Sequence, residues 1–556
     1  MINVLKKAKG ILSLVLTKKV FFISSIFILF LLLCKNPYSQ RTLIPNLEPY
    51  PDTIHYINSA QSFLKGYGLK ITRDGKSITN RVPPLYPSIL IPFFILSKNP
   101  QNFYFANILL SFLSLIIFYK IIKKFTDNKW IIGLSLFLYV TNYYIYWYPN
   151  WAMAENLLLP IFLTAIYLFI LEVNTQKIIA AALIGILLYA TKYAAGPLTF
   201  LFLAIYGLKI VFETKGWKSK LKNSLIFSVS VIIFATTLLF IETQIDHGKQ
   251  IFWLINNIWG TKKELISSSK QELISSRGGW FSIGYFLNNF KAYFAALRGE
   301  PIRFIWDFQP IFPIWLGNLG LVGLLIAFIS KKMRRVSFIL IILLFVEIAF
   351  ISLFYAQDAR FIIYAIPTIL LGVTFSLELL RSFFSKIKIE KFFPILIILV
   401  FSFYLVGSVM RIKSQIMINL KYAEVPWSYI SVLKMNDYFQ SDKIVNNKKP
   451  FVITPMVPHF IDFYSNKNYN LLPLSDQQAF FGEGALVWGD YNYSDLLGVY
   501  KKIIKDGYPV YFARYGLGNE GYLHAAFDKI AQNFKLTKVY EGCYTECNIY
   551  KLEIKR

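Results

Sequence analysis

The chain has 556 residues, 55% of them hydrophobic and 18% aromatic, and only 16% charged. That charged share lies well below the roughly 25% of an ordinary soluble domain and excludes a purely soluble globular protein. Its 59 Lys and Arg against 31 Asp and Glu give a net charge of +28, and in so apolar a chain this excess belongs to membrane-flanking loops, not to a nucleic-acid-binding face.

The first apolar run, Val20 to Cys34, is the tail of a stretch that begins at Ile11, with Lys6, Lys7, Lys9, Lys18 and Lys19 before or within it. A basic start ahead of an apolar core also fits a cleaved signal peptide. No small-x-small cleavage site follows, and many apolar runs come later, so a retained first span is expected. Further runs lie near 102–122, 130–148, 156–172, 178–194, 197–212, 223–242, 311–330, 336–355, 361–380 and 393–410. At about 20 residues per crossing these make about eleven spans.

Charge sets the expected orientation. With the N-terminus cytoplasmic, the inside loops carry Lys123, Lys124 and Lys129, then Lys177, then Lys215, Lys218, Lys220 and Lys222. The KKMRR run ending at Arg335 and the group Arg381, Lys386, Lys388 and Lys391 follow on the same side. The connections 35–101 and 243–310, and the tail after Arg411, then lie outside. The expected division is a transmembrane domain over 1–410 and an extracytoplasmic soluble α/β domain over 411–556.

In the first external connection, NLEPYPDTIHYINSAQSFLKGYG (46–68) reads as a helix. Pro51 suits its first turn, and Gly66 and Gly68 suit its end. Ile54, Ile57, Phe63 and Leu64 fall near one face, so the helix is expected to lie on the membrane surface with that face down. Asp52 and Tyr56 then share a face, with His55 beside them. Asp52 also sits at the positive end of the helix dipole. It either caps the helix or, held at the lipid–water boundary, accepts a proton from a hydroxyl. The next segment, TNRVPPLYPSILIP (79–92), carries Pro83, Pro84 and Pro87, which predict a stiff, extended approach to the membrane. Arg81 ahead of it either snorkels to a phospholipid head group or holds a substrate phosphate.

Farther along, Glu155 opens a span after the aromatic run YYIYWYP and needs a partner at that depth, for which Lys192 is the candidate. Lys192 also reads as an ordinary snorkelling lysine. The polar run 261–279 reads either as a mobile lid or as a solvated connector. Glu347 lies inside a span with no assigned partner, and Arg360 follows Asp358 by two residues, close enough for a local salt bridge. Asp52, His55 and Glu155 show no ligand spacing that demands a metal, and no divalent metal is expected. In the tail, FVIT (451–454) and YPVYFARY (508–515) look like strands, and 428–439, 494–507 and 522–534 like amphipathic helices. Cys543 and Cys547 bracket Tyr-Thr-Glu between two strand-like stretches. They are either a hairpin disulfide, permitted outside the cytoplasm, or two free thiols.

The order of these motifs resembles the GT-C membrane glycosyltransferases, in the branch of the protein O-mannosyltransferases and the lipid A aminoarabinose transferase. Asp52 in PDTIHY matches that family's first-loop aspartate, and RVPPLYP (81–87) resembles its basic-x-Pro-Pro-x-Tyr segment. WAMAENLLLP (151–160) resembles its second acidic motif, with Glu155 as the carboxylate. GILLYATKYAAGPL (185–198) and DARFIIYAIP (358–367) resemble its Thr-Lys-Tyr and late Arg-aromatic motifs. In two places the chain departs from the pattern: Val82 stands between Arg81 and Pro83, and the second acid is Glu where some members have Asp.

The resemblance implies a mainly α, GT-C-type bundle with a cavity opening outward, and a sugar donor already attached to a polyprenyl phosphate. Nucleotide sugars are cytoplasmic, so an external active site needs a lipid-delivered donor. It implies Asp52 and Glu155 as catalytic residues, and His55, Tyr56, Arg81, Tyr86, Lys192, Tyr193 and Arg360 as substrate-binding residues. The expected reaction is single displacement with inversion onto a glycan, lipid or protein acceptor, in a bacterial plasma membrane and without nucleic acid. A transporter or lipid flippase is the rival reading, since it too needs about a dozen spans. The conspicuous carboxylates cluster at the outer face and a large folded tail follows, which favours surface chemistry.

Overall fold

A computed structural model describes residues 18–34, 52–73, 76–78, 82–96, 102–244, 283–300, 310–353, 359–421, 427–440, 448–455, 461, 469–475, 491–514, 521–541 and 548–555. Helix α1 (Lys18–Leu33) is followed by α2 (Asp52–Leu64), a hairpin of β1 (Ile71–Arg73) and β2 (Lys76–Ile78), and α3 (Leu85–Leu96). Then come α4 (Phe103–Phe125), α5 (Lys129–Val140), the short α6 (Tyr143–Trp147), α7 (Glu155–Ile170), α8 (Thr175–Thr191), α9 (Gly196–Glu213) and α10 (Trp217–Gln244). The bundle continues with α11 (Ile283–Leu297), α12 (Ile314–Ile326), α13 (Arg334–Ile351), α14 (Ala365–Lys386) and α15 (Phe393–Lys421).

Each of the eleven apolar runs contains a helix, and among the described residues five helices, counting the short turns that adjoin two of them, are long and apolar enough to cross a membrane. The third run is broken. Thr141 returns its hydroxyl to the Phe137 carbonyl at 2.7 Å, and the Asn142 side chain accepts from the Tyr144 N–H. Asn142 thereby starts α6 afresh, while its amide donates to the Ile311 carbonyl at 2.8 Å.

Helices α12 and α14 make the closest pairing, through small residues. A Cβ on Gly323 would collide with the carbonyl oxygen of Gly372, and one on Gly372 with that of Gly320. Bare backbone on both sides lets the two helices approach at van der Waals distance, which drives association where lipid supplies no hydrophobic force. Helix α10 is the opposite case. It packs on α8, but only Phe227 and Glu242 of its 28 residues are buried.

Ion pairs tie one end of the bundle together. Lys209, buried, donates to the Phe169 carbonyl at 2.6 Å near the C-terminus of α7 and lies 3.4 Å from Glu213, which also pairs with Arg335 of α13. Free carbonyls at the end of a helix attract a cation there.

Two expectations need correction. Helix α2 does not lie apolar face down on a surface: Thr53, Ile54, His55, Tyr56, Ile57, Ser59 and Ala60 are all buried, whereas Phe63 and Leu64 are exposed. It packs into the protein against α3, with its small polar residues allowing contact on several sides. The proline-rich segment is extended only as far as Pro84. Helix α3 starts at Leu85 because Pro87 falls in the first turn, where a missing N–H is harmless. Ser88 completes that turn, donating both its N–H and its hydroxyl to the Pro84 carbonyl. The connection 243–310 also holds α11, which packs on α13 and whose Asn289 amide donates to the Ser352 carbonyl at 3.0 Å.

Beyond the bundle, α16 (Trp427–Gln440) precedes β3 (Phe451–Thr454), β4 (Asn470–Pro473), α17 (Leu496–Lys505), β5 (Val510–Ala513), α18 (Gly521–Asn533), β6 (Phe534–Tyr540) and β7 (Ile549–Ile554). The sheet order is β4-β3-β5-β7-β6, with β3 parallel to β4 and β5, and β7 antiparallel to β5 and β6. One core, around Ile453, Phe512, Tyr500 and Ile530, joins the sheet to α17 and α18. On α16, Tyr438 and Phe439 meet the Tyr511 ring edge-on, and Tyr469 donates to Asn436 at 2.7 Å. Cys543 and Cys547 lie outside the described residues; Cys34 is a buried free thiol.

Candidate active site

The site is built where helices α2 and α7 begin. Before α7 the chain turns through Tyr148–Ala154, and two buried amides hold that turn. Asn107 of α4 donates to the carbonyls of Pro149 (3.0 Å) and Trp151 (2.8 Å), and Asn156 donates to those of Tyr148, Trp151 and Met153, each at 3.0 Å. Satisfying these carbonyls keeps an irregular segment buried without penalty. It also fixes Glu155 as the first residue of α7, where the helix dipole favours a negative charge.

Next to it lies the start of α2. The Thr53 hydroxyl contacts the Met153 sulfur at 3.5 Å, so the helix that begins with Asp52 abuts the turn that leads into Glu155. The side chain of Asp52, and all of Arg81 and Asp358, lie outside the described residues.

Lys192 ends α8. Its extended backbone turns the chain toward α9, whose first turn contains Pro197. The ammonium donates to Glu155 Oε1 at 2.5 Å, with the glutamate side chain 2% and the lysine 14% exposed. This is the partnership that the sequence suggested. The same ammonium stands 4.8 Å from the centre of the Phe361 ring, and the Arg360 guanidinium carbon 5.2 Å from it. One aromatic ring therefore gathers both candidate cations, through its electron-rich π system.

Behind this layer lie two further groups. Glu347 of α13 is 3% exposed; it faces the Leu198 N–H in the first turn of α9 and feels the charge of Lys192. Tyr364, 1% exposed at the start of α14, lies beside Glu347 with its ring against Phe162. Neither Glu347 Oε2 nor the Tyr364 hydroxyl has a hydrogen-bond partner.

The tyrosines form a second line. Tyr86 donates to Asn107 Oδ1 at 2.7 Å, and the Tyr56 ring meets the Tyr86 ring edge-on at 5.1 Å. Tyr193 packs on Tyr189, and the buried Glu242 of α10 lies beside both. His55 is buried on α2.

Of the residues singled out in the sequence, Glu155, Lys192 and Arg360 come together, as do Tyr56 and Tyr86, with Tyr193 adjoining Lys192. Phe361, Tyr364, Asn107 and Glu242 were not singled out. Glu242 alone carried a signal, as an acid at the end of an apolar run. Among the described residues no group of three His, Cys, Asp or Glu side chains is arranged to hold a metal ion.

No protein-family model and no curated protein matches the chain in sequence. In three dimensions it is similar to ArnT from Cupriavidus metallidurans in the apo state. That likeness has a TM-score of 0.57 at 12% identity and covers 96% of this chain and 97% of that one. It is also similar to ArnT from the same organism bound to undecaprenyl phosphate, with a TM-score of 0.55, 12% identity and the same coverage. The chain shares the fold of that ArnT, the mainly α bundle with a C-terminal α/β domain that was expected from the order of motifs.

Proposed function

We propose that the protein is an integral membrane glycosyltransferase that uses a polyprenyl-phosphate-linked sugar donor. The observation that carries this reading is the convergence of the Glu155–Lys192 pair and Arg360 where the Asp52-bearing helix abuts α7. Acids and cations meeting at one end of an apolar bundle are what transfer from a lipid phosphate requires. The undecaprenyl phosphate bound to an ArnT of the same fold supports the donor class.

In the proposed reaction Asp52 takes the proton from an acceptor hydroxyl, whose oxygen attacks the anomeric carbon. The bond from that carbon to the phosphate oxygen breaks as the new one forms, so the configuration inverts. The polyprenyl phosphate departs as an anion that needs positive charge more than a proton. Lys192 has three N–H donors and gives one to Glu155, leaving others for a phosphate. Arg360 and Arg81 are its proposed companions. Glu155 holds the lysine in place and adds negative charge on the acceptor side. Tyr56, His55, Tyr86 and Tyr193 line the approach. The basic loops place this end on the extracytoplasmic side in the proposed topology, with the acceptor a glycan, lipid or protein.

The test is transfer by the purified chain in nanodiscs, supplied with a sugar on polyprenyl phosphate and a hydroxyl acceptor. Asp52→Asn, with folding retained, is expected to lower the transfer rate about 10²–10⁴-fold, the usual contribution of a positioned base. Undiminished transfer by that variant, or lipid movement with no transfer by the native chain, would overturn the reading and favour a flippase.

A further inference from the structure

Glu347 and Tyr364 present a chemical anomaly. Each is almost wholly buried, on α13 and at the start of α14, two apolar helices in contact, and Glu347 lies within electrostatic reach of Tyr364. Yet Glu347 Oε2 and the Tyr364 hydroxyl make no hydrogen bond to the protein or to each other. An unsatisfied buried oxygen is costly, and an ionisable residue within a membrane bundle is usually retained for function. Neither group is accounted for by the Glu155–Lys192 pair, whose ammonium already has its close carboxylate partner.

Their position suggests what they meet. Lys192 acts electrostatically on Glu347, and Tyr364 follows Arg360 and Phe361 by only a few residues. The pair is therefore tied to the cations proposed to receive the donor phosphate, Glu347 by the electrostatic reach of Lys192 and Tyr364 by chain proximity to Arg360. The Phe361 ring, half-buried, is held by Lys192 and Arg360. A phosphate that drew both cations to itself would release that ring and open a way to the buried pair. The moiety joined to the phosphate, one bond away, is the glycosyl ring, whose hydroxyls both donate and accept. A carboxyl and a phenol suit such a ring better than they suit an isoprenoid tail.

We propose that Glu347 and Tyr364 hydrogen-bond hydroxyl groups of the donor's sugar and so discriminate a glycosylated polyprenyl phosphate from the bare lipid phosphate. The inference rests on the donor reading above and adds to it the residues that recognise the sugar.

The experiment compares affinities of the full chain in nanodiscs for undecaprenyl phosphate alone and for the same lipid phosphate carrying one hexose, one pentose or one N-acetylhexosamine. The native chain is expected to bind at least one glycosylated probe more tightly than the bare lipid. Tyr364→Phe removes an oxygen with no hydrogen bond to the protein, and Glu347→Leu gives up only the contact to the Leu198 N–H, so both variants are expected to fold. Each should reduce the glycosylated probe's advantage about 10-fold and leave bare-lipid affinity within about 2-fold, while Glu347→Gln, which retains an acceptor oxygen, keeps part of the advantage. An advantage that survives both Leu and Phe substitutions overturns the proposal and leaves the donor reading standing. So does a native chain for which none of the three sugars adds affinity. Failure of every probe, glycosylated or bare, to bind overturns the donor reading itself, and the proposal with it.

Discussion

Thr53 touches the sulfur of Met153, and that contact joins two stretches one hundred residues apart. Asp52 precedes the first of these residues and Glu155 follows the second by two positions. The proposed chemistry depends on this junction between two helix starts, and the predictions below probe its supports.

The Glu155–Lys192 pair is buried on the glutamate side, so removing one member strands the other. Lys192→Met and Glu155→Gln are each expected to lower stability by about 3–5 kcal/mol, and the double variant to recover most of it. Thermal unfolding in detergent reads this cycle. Transfer activity is expected to stay lost in the double variant; equal stability losses that simply add would deny the coupling.

Tyr86→Phe removes the donor to Asn107 and leaves the amide oxygen buried without that partner. A loss of about 1–3 kcal/mol is expected. Asn107→Ala should be worse, because it also frees the carbonyls of Pro149 and Trp151. Denaturation of the two variants side by side gives the order, and a milder effect for Asn107→Ala would contradict it.

Gly372→Ala inserts a methyl group into the α12–α14 contact and is expected to destabilise by about 1–3 kcal/mol. Gly407→Ala in α15 meets no atom within 4 Å and should stabilise by about 0.5–1 kcal/mol, through lost backbone freedom in the unfolded chain. Opposite shifts in melting temperature would bear out both.

If Cys543 and Cys547 are paired, the denatured, unreduced protein titrates one thiol, that of Cys34, and three after reduction. Three thiols before reduction would exclude the bridge.

The bundle was readable because burial in lipid demands long apolar runs, and each of the eleven runs contains a helix. Lys192 was readable as the partner of Glu155, because a buried acid at the head of a span needs a cation and the motif order supplied one. Helix α11 escaped notice although Phe286, Phe290, Tyr293 and Leu297 recur at helical spacing, since the polar run before it read as a lid or a connector. The surroundings of Glu347 were not legible at all. Periodicity says which residues share a helix face but not which helix faces it, and its neighbours come from α8, α9 and α14, 149 to 155 positions away in one direction and 17 in the other. For α2 the helix was legible and its apolar face was not. Of Ile54, Ile57, Phe63 and Leu64, expected together on one face, only the first two are buried, and Thr53, Ser59 and Ala60 are small enough to admit neighbours on the other faces too.

Helix α10 buries only two side chains fully and half-buries a strip that includes Ile226, Val231 and Phe234. In a saturation mutagenesis screen its outward faces should be nearly silent, one greasy residue exchanged for another passing unnoticed there, with the sharpest responses at 227 and 242 and milder ones along the strip.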